Sequence, residues 1–176
     1  MRCKRIVESL LKFSRRSKLE DRRIFDLTRS VEDASVRFRA QIKKYPRVKL
    51  ELRLAPSTPS VYGDPSQLGQ VMLSLLQNGL QALPHFEGTL TVETGLKDAH
   101  CYFTISDTGC GIPEENMSRV FEPHFTTKPP GEGTGLGLSI AYRIVEDHGG
   151  YFVVKSAVNE GSAFTVMIPV QPGGGN

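Results

Sequence analysis

DTGCGIP (residues 107–113), VFEPHFTTK (120–128) and GEGTGLGLS (131–139) are three short motifs that follow one another in this chain. Asp107 ends an apolar-rich run that is typical of a strand, so its carboxylate is expected at a strand end. The glycines of the third motif precede residues 138–145, whose apolar positions have helical spacing. Free N–H groups at a helix start favour an anion.

A carboxylate at one end and a glycine-rich helix start at the other would suit a nucleotide, with its base at the acid and its phosphates at the glycines. Two familiar nucleotide motifs do not match. A dinucleotide fingerprint needs GxGxxG directly after a strand, whereas GTGLG (residues 133–137) follows a loop rich in proline and glycine. A P-loop needs a Gly-Lys pair followed by Ser or Thr, which is missing here.

Composition points to a single globular domain, with 176 residues, 39% hydrophobic and 23% charged. Basic residues crowd the first 23 positions, but Ile6, Leu10 and Phe13 are interleaved at helical spacing. That pattern favours a solvated helix face over a nucleic-acid arm, so no nucleic-acid partner is expected. The sequence has no membrane-length apolar run and no signal-peptide pattern, and its three cysteines lack metal spacing. A cytoplasmic setting is predicted, and a membrane anchor in a longer parent protein stays open.

Hydrophobic periodicity predicts alternating helices and strands along the chain. Thr28 is the predicted N-cap of one helix, while Asp64, Pro65 and Gln67 give another an N-cap, a first-turn proline and a capping box, and Pro84 ends it. The predicted helices are 3–18, 28–44, 65–83 and 136–148, and the predicted strands are 24–27, 48–54, 89–96, 99–106, 151–155 and 163–168. This order predicts an α+β fold, a two-layer sandwich whose mixed, mostly antiparallel sheet is covered on one face by helices.

Asn78 stands out within the predicted helix 65–83, because apolar residues surround it at helical spacing. An amide in that place either bonds inside the core or faces a cavity. Close to nucleotide loops, its oxygen would suit Mg²⁺ together with phosphate oxygens. Ser74 lies one turn earlier on the same face, and Gln81 about one turn later.

Four segments in order resemble the nucleotide-binding boxes of sensor histidine kinases. Residues 68–83 (LGQVMLSLLQNGLQAL) are similar to the N box, 107–113 to the G1 box, 120–128 to the F box and 133–139 to the G2 box. The F and G2 boxes most resemble those of nitrogen-regulation sensors. The resemblance implies the Bergerat-type ATP-binding sandwich that DNA gyrase, mismatch-repair and heat-shock chaperone ATPases share.

The same resemblance implies ATP and Mg²⁺ as cofactors and assigns roles to particular residues. Asn78 becomes the catalytic residue that holds Mg²⁺, and Asp107 accepts the adenine amino group. A mobile lid from about 116 to 133 is anchored by Phe121 and Phe125. The glycines of the G1 box shape the adenine pocket, and those of the G2 box give N–H groups to the phosphates. The remaining nucleotide-binding candidates are Gln81, Ala82, Gly109, Gly111, Ile112, Thr126, Thr127, Lys128, Gly133, Thr134, Gly135, Leu136, Gly137 and Leu138.

Several positions depart from the family pattern. Ser74 stands where the family usually has Asn and where related ATPases have a Glu that activates water. Because a serine hydroxyl is a poor general base, slow hydrolysis of bound ATP is expected. Gln81 replaces a frequent basic residue, and His124, at a common Phe position, is expected on the lid surface. Lys128 is either a phosphate contact or a solvated surface lysine.

The histidine that accepts phosphate in this family lies on a preceding helix, beside an acidic residue. The histidines present are His85, His100, His124 and His148, and none is followed by Asp or Glu. We therefore expect residues 1–20 to be a helical stub, the end of the dimerisation hairpin. Residues 24–170 would be the catalytic ATP-binding domain, and 171–176 a disordered tail.

The resemblance implies a parent protein that passes the γ-phosphoryl group of ATP to a hairpin histidine and then to an aspartate of a response regulator. The parent is expected to be a homodimer and this chain a candidate monomer. An ATPase that couples hydrolysis to conformational change is one alternative, and a non-catalytic nucleotide-binding module is another. Asn78, Asp107 and the G2 glycines favour retained nucleotide binding.

Overall fold

The computed structural model describes residues 21–129 and 133–171. Its strands are β1 (Arg23–Phe25), β2 (Val48–Arg53), β3 (Val61–Gly63), β4 (Gly88–Lys97), β5 (His100–Asp107), β6 (Tyr151–Ala157) and β7 (Gly161–Pro169). Its helices are α1 (Leu27–Ile42), α2 (Pro65–Ala82), α3 (Glu114–Met117) and α4 (Gly137–Asp147), with a 3-10 turn at Pro84–Phe86. The predicted helix 3–18 lies outside the described residues, as does the predicted tail apart from Gln171, so both stay predictions.

Five strands form the main sheet in the order β2-β4-β5-β7-β6, and β1 pairs with β3 in a separate two-stranded sheet. Only β2 and β4 run parallel among the described strands; the other pairs of the main sheet are antiparallel. The parallel pair follows from the long connection through β3 and α2, since parallel neighbours need a crossover. The predicted mixed, mostly antiparallel sheet is confirmed.

The three long helices cover one face of this sheet, as the sequence predicted. Along β5, Cys101, Phe103 and Ile105 are buried against the helices, and Tyr102 and Thr104 between them point to the open face. Each helix contributes an apolar stripe to the same core. None of the helices in the described ranges combines the length and hydropathy needed to cross a lipid bilayer.

The start of α1 differs from the prediction. Asp26, not Thr28, is the N-cap, and its carboxylate accepts a hydrogen bond from the backbone amide of Arg29. Thr28 lies inside the helix and is buried, where its hydroxyl contacts those of Thr58 and Thr94 at 3.1 and 3.2 Å. The prediction of Thr28 as the N-cap is wrong because its hydroxyl bonds to residues distant in sequence, which leaves Asp26 to cap the helix.

The start of α2 is capped by Asp64 as predicted, with its carboxylate accepting from the amides of Ser66 and Gln67. The capping box is wrong, because the amide of Asp64 donates to Nε2 of His148 at 2.9 Å. The buried imidazole also contacts the carbonyl oxygen of Ile144 through Nδ1, at 2.6 Å. His148 therefore ties the end of α4 to the start of α2, a contact between residues far apart in sequence.

Candidate functional site

Asp107 is the last residue of the central strand β5, so its carboxylate lies where this strand ends, beside α2. Its Oδ1 accepts a hydrogen bond from the amide of Gly109 at 2.8 Å. A methyl group on Gly79 of α2 would lie 3.4 Å from Cβ of Asp107, which shows how closely the helix passes. Burial raises the pKa of the Asp107 carboxyl, and hydrogen bonds from the amides of Gly109 and Ser162 partly offset that rise.

The loop after Asp107, residues 108–113, lies against the C-terminal end of α2. The amide of Cys110 donates to the carbonyl of Ala82 at 3.0 Å, which satisfies one of the helix's last carbonyls. Gly109 is required by this contact, because a Cβ there would lie 2.5 Å from the same carbonyl oxygen. Gly111 has φ +69° and faces the carbonyl of Ala157, so a side chain is excluded on two grounds.

Asn78 lies on the face of α2 that connects the two ends of the site. Ser74, one turn earlier, faces Gly137 at the start of α4, since a Cβ on that glycine would be 3.0 Å from the serine Oγ. Ala82, one turn later, touches the loop at Gly109. From Ser74 to Ala82 the helix rises roughly 12 Å. Asn78 is half-buried, and its amide has no hydrogen-bond partner among the described residues.

The opposite end of the site is the start of α4, as the sequence predicted for the G2 glycines. Gly137 begins the helix and Leu136 is its N-cap residue, with no side-chain cap. The first amides of a helix have no intrahelical partner, so they are available to an anion. Leu138 packs against the core, and the exposed Thr134 accepts a long hydrogen bond, 3.4 Å, from the amide of Leu136.

The predicted lid anchors differ in their contacts. The ring of Phe121 packs between Tyr142 of α4 and Phe152 of β6, with ring centroids 5.1 and 4.9 Å apart. Phe125 contacts a neighbour within the predicted lid segment, since the guanidinium of Arg119 lies 4.5 Å from its ring centroid. Phe121 thus fastens the start of the segment to the domain. The short helix α3 just before it was not predicted.

The F box folds back onto α2. The ammonium of Lys128 donates to Oε1 of Gln81, and the amide of Lys128 donates to Oγ1 of Thr126 at 3.2 Å. Gly133 adjoins the same threonine, and Thr127 is exposed. The structure therefore brings Lys128 to the face of α2 that carries Asn78. No local sequence pattern indicates this contact between Lys128 and Gln81.

His124 is exposed, as expected for the lid surface, and its amide donates to the carbonyl of Gly135 at 2.9 Å. That bond joins the F box to the G2 box. Sequence reasoning missed two serines near Asp107: Ser162 is buried and is its cross-strand neighbour on β7, and Ser156 is the next neighbour on β6. Strand register alone would have placed them in one row, but register is not visible in a single strand's pattern.

Residues 63–172 match the family model described as histidine kinase-, DNA gyrase B- and HSP90-like ATPase. The chain is 37% identical over 123 residues to the sensor histidine kinase ZraS of Escherichia coli K12, covering 70% of this chain and 26% of that protein. It is 40% identical over 126 residues to the adaptive-response sensory kinase SasA of Gloeothece citriformis, covering 70% of this chain and 32% of that one. The chain thus spans about a third or less of the length of these curated relatives.

Solved structures give the same result. The catalytic domain of histidine kinase ThkA superposes with a TM-score of 0.74 at 30% identity, covering 86% of this chain and 99% of the other. A mycobacterial sensor histidine kinase, MprB, superposes with a TM-score of 0.72 at 30% identity, covering 85% of this chain and 98% of that one. The fold is therefore that of histidine kinase catalytic domains. The carboxylate of Asp107, the amide of Asn78 and the glycine-rich start of α4 lie along α2 within the matched residues. The chain belongs to the histidine kinase-, DNA gyrase B- and HSP90-like ATPase family.

Proposed function

We propose that this chain is the ATP-binding catalytic domain of a sensor histidine kinase that transfers the γ-phosphoryl group of ATP to a histidine on a dimerisation hairpin. The observation that carries the proposal is the face of α2. This face carries Asn78 between the half-buried carboxylate of Asp107 and the start of α4 at Gly137, which has no side-chain cap. The parent protein would then relay the group to an aspartate of a response regulator receiver domain.

The adenine end rests on Asp107. One carboxylate oxygen accepts from the amide of Gly109, and a Cβ on Gly79 would lie 3.7 Å from the other oxygen, so the glycine lets α2 pass close to the carboxylate. A carboxylate accepts hydrogen bonds but does not donate when ionised. It therefore suits the exocyclic amino group of adenine, whereas the carbonyl oxygen of guanine would meet another acceptor. Ile112, half-buried and packed against the core, supplies an apolar wall next to this loop.

Asn78 fits a role as the Mg²⁺ ligand at the phosphate end. Its amide is half-buried without a protein partner in the described ranges, and an amide oxygen is a ligand type that Mg²⁺ accepts alongside phosphates. Mg²⁺, when bound, would neutralise phosphate charge. The amides at the start of α4 would hold the phosphate oxygens, and Lys128, exchanging Gln81 for a phosphate, would add a positive charge.

Phosphoryl transfer requires alignment and charge neutralisation more than covalent help from the protein. The arrangement matches that requirement, since it offers an amide, backbone N–H groups and a lysine. Ser74 occupies the place beside Gly137 where a water-activating base would act in an ATPase. A hydroxyl is a weak base, so transfer to an added histidine is expected to outpace hydrolysis.

The test is incubation of the chain with labelled Mg-ATP and a separately purified acceptor hairpin from a related kinase. Acid-labile label on the hairpin histidine is expected, with little free phosphate, and Asn78→Ala should abolish the labelling. Steady phosphate release without transfer would favour the coupled ATPase instead. Nucleotide binding with neither transfer nor hydrolysis would favour the non-catalytic nucleotide-binding module, and absence of nucleotide binding would contradict the proposal.

The proposal extends to the rest of the protein. Residues 1–20 would be the end of the dimerisation hairpin, 24–170 the catalytic domain, and 171–176 a tail. The parent would be a homodimer with its catalytic part in the cytoplasm, where ATP and the response regulator are found. The similarity to ZraS and SasA supports this view, because both relatives are named as sensor kinases.

A further inference from the structure

The adenine end of the site is supported from behind by the hairpin of β6 and β7. In the register of the sheet, Ser156 pairs with Ser162, and Ser162 pairs with Asp107. These three residues therefore form one polar row across neighbouring strands. Ser162 is buried, so the row belongs to the face of the sheet that the helices cover. Because buried polar groups are almost always hydrogen-bonded, each hydroxyl in this row is expected to have a partner.

Ser156 uses every hydrogen-bonding position of its hydroxyl. It accepts from the amide of Ile112 at 2.8 Å and donates to the carbonyl of Gly161 at 2.8 Å. Its remaining contact, 3.0 Å to Oγ of Ser162, must then be one in which Ser162 is the donor. A hydroxyl has one proton and two lone pairs, so this arrangement is complete.

Two consequences follow for the site. The loop that carries Gly109 and Gly111 is fixed to the hairpin through Ile112, and the bond from the amide of Asn159 to the carbonyl of Cys110, 2.8 Å, reinforces it. The single proton of Ser162 is directed toward Ser156. The Ser162 hydroxyl therefore does not donate to the neighbouring carboxylate, which accepts from the amides of Gly109 and Ser162 and keeps lone pairs for an incoming amino group.

We propose that Ser156 is a positioning residue for adenine, acting through Ile112 and Ser162 without touching the nucleotide. The proposal rests on the proposed function, because it assumes that Asp107 accepts the adenine amino group. Loss of the hydroxyl would free the loop at Ile112 and release the Ser162 proton to compete for acceptors near Asp107. Both effects weaken the adenine end and leave the phosphate end unchanged.

The experiment compares Ser156→Ala, Ser156→Thr and the matched control Thr165→Val by calorimetry with ADP and with a non-hydrolysable ATP analogue. Thr165 lies on β7, and its hydroxyl pairs with that of Thr104 at 2.8 Å, outside the polar row. Removing it costs the same hairpin one hydroxyl bond without changing the loop. The second readout is amide hydrogen exchange at Ile112.

For Ser156→Ala we expect about tenfold weaker binding of both nucleotides, with their ratio unchanged, and faster exchange of the Ile112 amide. Ser156→Thr, which keeps a hydroxyl on a β-strand, should recover most of the affinity. Thr165→Val should bind as the unchanged chain does. Unchanged affinity in Ser156→Ala, or an equal loss in Thr165→Val, would overturn the proposal.

Failure of the proposed function gives a different result. If the unchanged chain bound no adenine nucleotide, calorimetry would show it before any variant was made. Exchange at Ile112 would still separate an anchored loop from a free one, since that hydrogen bond exists without a ligand. Slow exchange at Ile112 that persists in Ser156→Ala would contradict the anchor itself.

Discussion

The two ends of the proposed nucleotide site are built in different ways. At the adenine end, backbone groups of the loop 108–113 bond to distant elements: Cys110 to Ala82 of α2 and to Asn159 of the hairpin. At the phosphate end, the backbone of the F box bonds to its own neighbours, as Phe125 does to Glu122, and to Gly135 of the G2 box through His124. Its link to α2 within the described residues is the side-chain contact of Lys128 with Gln81.

This contrast teaches how the site would divide its work. A loop fixed by backbone bonds to other elements is pre-organised, so binding adenine costs little ordering. A loop held by exposed side-chain contacts can exchange those contacts for phosphate oxygens, because each such bond contributes little net stability. The base would then be recognised by a rigid pocket, and the phosphates by a segment that closes on them.

Asp107→Asn should give the largest effect on binding. The amide would present a donor or a weaker acceptor to the adenine amino group, so ATP affinity should fall by about 10- to 100-fold. Since burial raises the pKa of Asp107, ionising it opposes folding as pH rises through its folded-state pKa. The variant should therefore melt no lower than the unchanged chain at neutral pH. Unchanged ATP affinity by calorimetry would break the assigned adenine end.

Asn78→Ala should separate transfer from folding. Phosphoryl transfer to an acceptor hairpin should fall by at least about 100-fold, because the oxygen proposed for Mg²⁺ is lost. The melting temperature should stay the same or rise, since the amide has no partner among the described residues. Asn78→Asp is the matched control, because it keeps an oxygen ligand and should retain part of the activity. A variant that transfers normally would contradict the assignment.

A pair of glycine substitutions compares the two ends directly. Gly109→Ala places a Cβ 2.5 Å from a backbone carbonyl, that of Ala82, and should destabilise the fold by about 1–3 kcal/mol. Gly133→Ala meets side-chain atoms of Thr126 and Lys128, at 2.8 and 3.3 Å, which can move aside. The Gly133→Ala variant should keep almost the same stability, and its affinity for ATP should fall more than its affinity for ADP. Chemical denaturation and calorimetry of both variants test this, and equal loss of stability would remove the contrast.

The smallest expected effect concerns pH and the tie at His148. Desolvation by burial lowers the pKa of this imidazole, and the charge of Arg22 lowers it further. The hydrogen bond to the Ile144 carbonyl and the charges of Asp64 and Asp147 raise the pKa and offset part of that shift. A lowered pKa means that the neutral form stabilises the fold fully above the unfolded value near 6.5 and that this stability is lost as pH falls toward the folded-state pKa. Protonation would set a donor on Nε2 against the Asp64 amide.

Denaturation of the unchanged chain between pH 7.5 and about 5 should therefore show falling stability. His148→Gln, which keeps an acceptor but does not titrate in that range, should be less stable at pH 7.5 and show a flatter pH dependence. The exposed His124 gives the control, since His124→Gln should leave the slope unchanged. A slope that persists in His148→Gln would assign the acid sensitivity to another group.

Much of the fold was predictable because local patterns and tertiary structure agree. The helix over Pro65–Ala82 has its N-cap, proline and apolar stripe in one sequence segment, and Pro84 follows it. The apolar-rich run before Asp107 correctly predicted the strand β5. The errors came where a tertiary partner decided the outcome: Thr28 bonds across the core and His148 replaces Gln67 at the helix start.

The site divides along the same line. Motif order gave Asp107 and the start of α4, and the structure places both along α2. The contact between Gln81 and Lys128 joins residues 47 positions apart, and that between Ile112 and Ser156 joins residues 44 apart. Such pairs carry no local signal in one sequence. The residues that support the site were consequently missed, whereas the residues proposed to touch the ligand came from the sequence motifs and stay predictions.

The contrast between a pre-organised adenine end and a phosphate end that closes on its ligand is tested most directly by amide hydrogen exchange. The exchange is measured for the chain alone, with ADP, and with a non-hydrolysable ATP analogue. Cys110 and Ile112 should be protected in all three states, because their amides already have protein partners. The amides of Gly137, Leu138 and Ser139, at the start of α4, should gain protection chiefly with the triphosphate. Unprotected Cys110 and Ile112 in the free chain, or equal protection of the α4 amides in every state, would contradict the account.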